Sequence, residues 1–369
     1  MLEADVHTVP MAGPADVSRV AALFDAGTVD PAHVVGVIAQ TEGDGYARGY
    51  AAQSLQLLLS ERLSIATAEV FESIPMLMIG GTAGIMCPHW TLFVNKPAAG
   101  PAAGGEPRLV LGAASSRRLL PEELGRMAQV EQTAATVRAA MEQAGIADPA
   151  RVVCVELKVP HVTPARAAEA AARGRTMCDP NLLTASGKSR GAAALGAAVA
   201  LREIDSSALA DSVIGNDPSL YSERASSSSG GEQERCRAVV IGNLAGAPSR
   251  LVAGGGVMAH QLDLAGARAA FAAAGLELVD GALPAAERER VAAVFVNAGA
   301  NYAPDVLGNR HTMNSDFLAA FAGNQAKAVA HGIVSSIKGD TLVLGNAGAE
   351  HQGRPGANLV CVIARAAGA

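Results

Sequence analysis

The chain has 369 residues, half of them hydrophobic but only 3% aromatic, and a net charge of −6. That length predicts two or three domains. The acidic balance and the scarcity of rings argue against nucleic acid, which needs a basic face and stacking platforms. The five cysteines, Cys87, Cys154, Cys178, Cys236 and Cys361, contain no CxxC pair and read as buried small residues of a reducing compartment. The N-terminus opens on acids rather than a basic n-region, and no apolar run approaches the roughly 20 residues that cross a bilayer. A cytoplasmic protein without membrane contact is therefore expected.

The pattern predicts a helix over Val17–Phe24, then a buried strand His33–Ala39 closed by the turn Gln40-Thr41-Glu42-Gly43-Asp44-Gly45. Arg48 opens a helical stripe through Ala52, Leu55 and Leu59. Strand Ile74–Ile79, turn Gly80–Gly84 and strand Trp90–Val94 follow, and Pro97–Pro107 reads as a linker. A second pass runs from helix Pro121–Gln143 to strand Arg151–Leu157, which ends at Lys158. Helix Pro164–Arg173, Arg190 before helix Ala192–Ile204, the Ser/Gly turn Ser226–Gly231 and strand Ala238–Ile241 complete it. Ala245–Gly256 reads as another linker. The third pass comprises helix Leu264–Ala274, strand Val291–Val296 ending at Asn297, Arg310 before helix Asp316–His331, strand Thr341–Leu344, turn Gly345–Glu350 and strand Leu359–Ile363.

Each pass thus gives a strand, a polar end residue, an Arg before a helix, a second strand, a Gly-rich turn and a third strand. Arg-to-turn spacings are similar in all three. The chain is read as an α/β protein of three structurally similar units around a pseudo-threefold axis, with boundaries at 1–104, 112–248 and 256–369. Three guanidinium forks at one structural position suit a small flat ligand carrying several carbonyl or carboxylate oxygens. Lys158, at the end of an apolar strand, is placed to lose its charge by desolvation and to serve as a general base for a serine of the Ser226–Gly231 turn. No HExxH or paired histidine spacing suggests zinc, and the glycine clusters lack GxGxxG or a Walker lysine, so no cofactor is required for chemistry.

Several motifs are more specific: Gln40–Gly45 with Arg48-Gly49-Tyr50-Ala51, Gly80-Gly81-Thr82 with Pro88-His89, Gly187-Lys188-Ser189-Arg190-Gly191, Arg310-His311-Thr312-Met313, and Gly348-Ala349-Glu350-His351-Gln352-Gly353. In order and over nearly the whole chain, they resemble the cyanuric acid hydrolase and barbiturase family of ring-opening amidohydrolases. The resemblance implies the Toblerone fold, a homotetramer, and a flat cyclic substrate lying among three Ser-Lys pairs and three arginines. It maps the catalytic pair to Lys158 and Ser226, with the oxyanion near the N–H of Ser227, and the arginines to Arg48, Arg190 and Arg310. Gln40 and Ile79 stand where the first unit should carry Lys and Ser, with Gly80 beside them. Asn297 and Asn346 stand there in the third unit, followed by Ala347. These replacements predict a ring less symmetric than cyanuric acid. The family's structural cation, Mg²⁺ or Ca²⁺, would be held by backbone carbonyls of Ala349, Gln352, Gly353, Pro355 and Gly356, but the usual glutamate position is Gly299, which weakens any hard-cation site. An isomerase or cyclase, or a non-catalytic ligand-binding homologue, remains compatible with the same pocket.

Overall fold

A computed structural model describes residues 2–368 except 44, 99, 101–104, 300–304, 314 and 316. The first unit contains β1 (Leu2–Pro10), α1 (Ser18–Asp25), β2 (Val34–Gln40), α2 (Gly45–Leu63), α3 (Thr67–Ser73), β3 (Met76–Ile79) and β4 (His89–Pro97). The second contains β5 (Pro107–Arg118), α4 (Met127–Gln143), β6 (Val152–Pro160), α5 (Pro164–Ala172), α6 (Leu182–Ala200), β7 (Ala225–Gly230) and β8 (Arg235–Ala245). The third contains β9 (Leu251–Met258), α7 (Leu264–Ala273), α8 (Ala285–Arg290), β10 (Val291–Ala298), the short hairpin β11 (Asp305–Val306) and β12 (Asn309–Arg310), α9 (Ala322–Lys338), β13 (Leu344–Ala347) and β14 (Asn358–Arg365).

The three four-stranded sheets have one topology: β1-β4-β2-β3, β5-β8-β6-β7 and β9-β14-β10-β13. In each, a parallel pair (β2/β3, β6/β7, β10/β13) is joined through a helix, and the remaining contacts are antiparallel. Both sheet faces are covered, which explains why the central strands read as unbroken apolar runs. Outward residues such as Val37, Val155, Leu157 and Val294 pack under the helices. Inward residues Ile38, Cys154, Ile241, Phe295 and Ile363 meet in one central core shared by all three sheets. There Phe93 and Phe295, from the first and third sheets, stack at 6.1 Å between ring centroids.

Several expectations change. The opening strand of each sheet, β1, β5 or β9, was absent from the reading, and β9 occupies the supposed linker Ala245–Gly256. Its glycines reflect close packing: a Cβ on Gly254 would lie 2.4 Å from Ala270 O of α7. β5 spans Pro107–Arg118 and β9 Leu251–Met258, so the expected starts of the second and third units, at 112 and 256, fall inside strands. The Pro97–Pro107 linker lies partly outside the described residues, as does the expected helix start at Asp316. The serine run is not a turn. Ser226–Ser229 lie in β7, at the edge of the second sheet.

Candidate active site

The central core ends in polar residues. On each sheet the last inward residue of the central strand lies directly opposite the inward end of its parallel neighbour: Gln40 opposite Ile79, Lys158 opposite Ser228, and Asn297 opposite Asn346. These three pairs are equivalent, and they correct one expected site residue. Ser226 is in register with Glu156, one layer deeper, at the level of Leu77 and Leu344 in the other sheets. A run of four serines does not reveal which alternate member faces the amine; strand register does.

Lys158 is 1% exposed. Burial drives its ammonium down to a pKa of about 8; Glu232, 3.9 Å from Nζ, opposes this, while Arg48 and Arg190 reinforce it. Nζ donates to the Ser229 carbonyl at 3.1 Å. The Ser228 hydroxyl is buried and has no hydrogen-bond partner in the structure. Neighbouring strands are about 4.8 Å apart, so side-chain rotation alone can bring this hydroxyl and amine together. Ser226 Oγ instead accepts from Asn346 Nδ2 at 3.1 Å and bonds to Glu156. The Ser227 N–H donates to Gln352 Oε1 at 2.6 Å, so it is not free for an oxyanion, and its own hydroxyl lies on the opposite face. In a parallel ladder alternate N–H groups point away from the partner strand. The next outward N–H after that of Ser227 is that of Ser229, immediately following Ser228.

The cations form a relay between units. Arg48, in the first turn of α2, approaches Glu232 of the second unit, with Nε 4.0 Å from Oε2. The Arg48 side chain packs over Gly80, where a Cβ would lie 2.7 Å from a guanidinium nitrogen and would require that side chain to shift. Arg190, inside α6, grips Glu350 of the third unit through Nε–Oε2 at 3.1 Å and Nη2–Oε1 at 2.5 Å, and donates to Ser229 Oγ at 3.3 Å. Burial of Glu350 favours its neutral form, but Arg190 prevails and holds its carboxyl below the usual range. His161, 3.2 Å from Ser229 Oγ, is driven down to about 4 by burial and by Arg190 and Arg48, so its ring is neutral.

Arg310 does not complete the triangle. It ends an exposed hairpin, and the helix begins only at Ala322. The buried stripes Ala51/Ala52/Leu55, Ala193/Ala194/Ala197 and Ala330/His331/Val334 match α2, α6 and α9. One turn before each stripe stand Arg48, Arg190 and Lys327. Lys327 is 3% exposed and crosses to the first unit, donating to the carbonyls of Gly80 at 2.8 Å and Gly81 at 3.0 Å. Sequence reasoning missed it because it sought arginine; the Ala330/His331/Val334 periodicity was the available signal.

The remaining predicted residues have definite partners. Gln40 is fully buried and its amide bridges two units, donating to Ile79 O at 3.0 Å and accepting from Gly345 N at 2.8 Å. This corrects its assignment as a ligand contact, because both ends of the amide are committed to backbone. Asn297 donates to Gln352 Oε1 at 3.2 Å, while its Oδ1 lacks a protein partner. Ala347 N caps Asn346 Oδ1 at 2.9 Å. Ile79 closes the first face with an apolar side chain.

The suggested cation site fits poorly. Around Ala349–Gly356 the expected donors are neutral carbonyls, and at Gly299 a Cβ would meet Ala357 O at 2.4 Å, leaving no room for the missing carboxylate. Among the described residues no three His, Cys, Asp or Glu side chains cluster as metal ligands. Among them, too, no helix is long and apolar enough to cross a membrane.

Three like sheets that, among the described residues, bring one strand-paired amine and hydroxyl to the place where they meet define a concatenated-repeat α/β protein with a candidate site at its centre. The family model described as amidohydrolase ring-opening protein matches residues 5–365. A cyclic amide hydrolase of Azorhizobium caulinodans is 38% identical over 99% of this chain and 100% of its own length. A cyanuric acid amidohydrolase of Enterobacter cloacae is 41% identical over the same shares. A solved cyanuric acid hydrolase from A. caulinodans superposes with a TM-score of 0.88 at 38% identity, covering all of both chains. Another cyanuric acid hydrolase structure, described as arising by structural concatenation, gives 0.93 at 38% identity over 99% of this chain and 100% of its own. The chain belongs to the ring-opening amidohydrolase family.

Proposed function

We propose that the protein hydrolyses a small cyclic amide or imide, with Ser228 as nucleophile and Lys158 as its base. The observation that carries this reading is the placement of a buried, charge-suppressed lysine directly opposite a buried serine hydroxyl with no other partner. Neutral Lys158 accepts the Ser228 proton as Oγ attacks a ring carbonyl. The developing oxyanion sits at the outward N–H of Ser229, at the β7 edge where donors are already oriented. Water then releases the opened chain. The relatives named as cyanuric acid and cyclic amide hydrolases support the reaction class.

The three faces around the ring are unlike. The second offers Ser228 and Lys158, the third Asn346 and Asn297, and the first Ile79. A carbonyl pressed against Ile79 without another donor would forfeit about 1–3 kcal/mol, so the ring is inferred to be less symmetric than cyanuric acid. The test is a panel of cyanuric acid, barbituric acid, uracil-like rings and simple cyclic imides, followed by intact-mass analysis with a slow substrate. An acyl adduct on Ser228 is expected. Turnover of a ring without any adduct in rapid-quench samples, together with full activity in Ser228→Ala, would refute the assignment.

A further inference from the structure

Opening the ring needs two proton movements: one leaves the serine, and one arrives at the ring nitrogen as its bond to carbon breaks. We propose that Lys327 is the acid that protonates this departing nitrogen, so that a lysine from each of two units divides the work. The inference rests on the hydrolytic reading above.

Three observations carry it. First, Lys327 Nζ lies on the Gly80 carbonyl, and the Lys158 amine lies on that of Ser229. Gly80 and Ser229 are equivalent, each following the strand residue opposite Gln40 or Lys158. An amine missing from position 40 is thus restored to the first face by α9 of the third unit. Second, an ammonium has three N–H donors, and the carbonyls of Gly80 and Gly81 take two, leaving one for a ligand. Third, Lys158 apart, the other side chains named around the ring cannot supply the proton. Arg48 and Arg190 cannot release a proton, and Ile79, Asn297 and Asn346 do not titrate. Arg48 and Arg190 face carboxylates, Glu232 and Glu350, whereas the corresponding residue on the first unit's turn is Ala83. Among the described residues no carboxylate pairs with Lys327, which therefore has no anion to lock its proton in place.

The groups that face Lys327 are Lys158 from β6 and Arg48 from α2, with His331 one turn along α9. Burial lowers Lys327 to about 7, and Lys158 and Arg48 add to the effect. The two lysines therefore share protons over the neutral range, and their titrations belong to the pair. In the productive state Lys158 is neutral and Lys327 charged, the minor arrangement of the shared proton because Lys158 is the stronger base of the two. Oγ bonds to the carbonyl carbon as its proton passes to Lys158. The C–N bond breaks, and its electron pair takes the Lys327 proton. Lys158 is left charged and Lys327 neutral until a proton returns from one to the other. In deacylation Lys158 takes a proton from water and restores one to Ser228.

Lys327→Arg keeps the positive charge and donors to the Gly80 and Gly81 carbonyls but cannot act as an acid near neutrality. With a ring hydrolysed by the wild type, its kcat should fall by about 10²–10⁴-fold. KM should change little, and the alkaline fall in the kcat profile should disappear. Lys327→Met should lose both kcat and affinity, while a ring with a more acidic leaving nitrogen should recover most of the kcat in either variant. Thermal melts identify variants that fail to fold, and Lys327→Arg, with its charge retained, is the decisive one. Unchanged kcat and an unchanged alkaline limb in folded Lys327→Arg would overturn the proposal, even with Ser228→Ala inactive. If Ser228→Ala were active, the parent reading would fail instead.

Discussion

The register of β7 makes Ser226 and Ser228 separable by experiment. Replacing Ser228 by alanine removes the proposed nucleophile from a position where its oxygen has no structural partner. Losses on the order of 10⁴-fold or more in kcat are usual for such a change, and the melting temperature should scarcely move. Ser226→Ala should behave oppositely. Its hydroxyl joins Asn346 Nδ2, 3.1 Å away, to the buried Glu156 carboxyl. Truncation leaves both groups short of a partner, at about 1–3 kcal/mol. Each kcal/mol corresponds to about 2–4 °C in a large domain, so a drop of several degrees is expected. Turnover should stay within about tenfold of wild type, because Lys158 and Ser228 are untouched and only the Asn346 amide is released. Initial rates at saturating substrate, with thermal and urea unfolding of each variant, make the comparison. An inactive Ser226→Ala with a normal melt, beside an active Ser228→Ala, would refute the register argument.

Burial raises Glu156 to about 8, against an ordinary value of 4.5. The folded state therefore holds a proton on this group that the unfolded state releases, and the contribution of Glu156 to stability should decline between about pH 4.5 and 8 and level off above. Glu156→Gln should flatten that decline and be the more stable protein at pH 8, by on the order of a few kcal/mol; urea midpoints at pH 5 and 8 test this. Glu350→Ala removes the carboxylate that orients the Arg190 fork, and KM should rise about tenfold, or 1.4 kcal/mol, with a smaller change in kcat, measured by steady-state kinetics. Because Glu350, the one carboxylate of the turn Ala349–Gly356, is held by Arg190 and leaves a hard cation only neutral carbonyls, the melting temperature should be unchanged after EDTA treatment and dialysis, measured by calorimetry.

Central strands and the repeat were legible because burial on both faces writes itself as unbroken Val, Ile and Ala. β5 and β9 were not, because close packing of α4 and α7 demands glycine: a Cβ on Gly112 would lie 1.8 Å from Ala140 O. Such residues look like linker until the helix above them is placed. Lys158, Arg48 and Arg190 could be found from their position after or near apolar elements. Ser228 required a register, which serial serines conceal. Lys327 required knowing which helical turn precedes the buried stripe of α9, and the arginine at position 310 offered a false substitute on an exposed hairpin.

The departures from threefold symmetry are grouped rather than scattered. On the first face the amine, the hydroxyl and the turn carboxylate have all gone, leaving Gln40, Ile79 and Ala83, and the cation that reaches this face has changed from arginine to lysine. The third face has exchanged its amine and hydroxyl for Asn297 and Asn346 but retains Glu350, and the cation reaching it remains Arg190. The second face is complete, and Arg48 reaches it. An arginine is retained where a carboxylate faces it, Glu350 being gripped by Arg190 and Glu232 lying 4.0 Å from Arg48, and a lysine stands where carbonyls accept its protons. This matches the donor chemistry, since a guanidinium pairs in bidentate fashion with a carboxylate while a compact ammonium can share its protons between two carbonyl oxygens. The three sectors therefore differ in kind: one carries the amine and hydroxyl proposed for acyl transfer, one offers amides, and one presents an apolar side chain beside a titratable amine. A ring that presents the same edge to all three would satisfy only one of them, whereas a ring with three different edges can satisfy each.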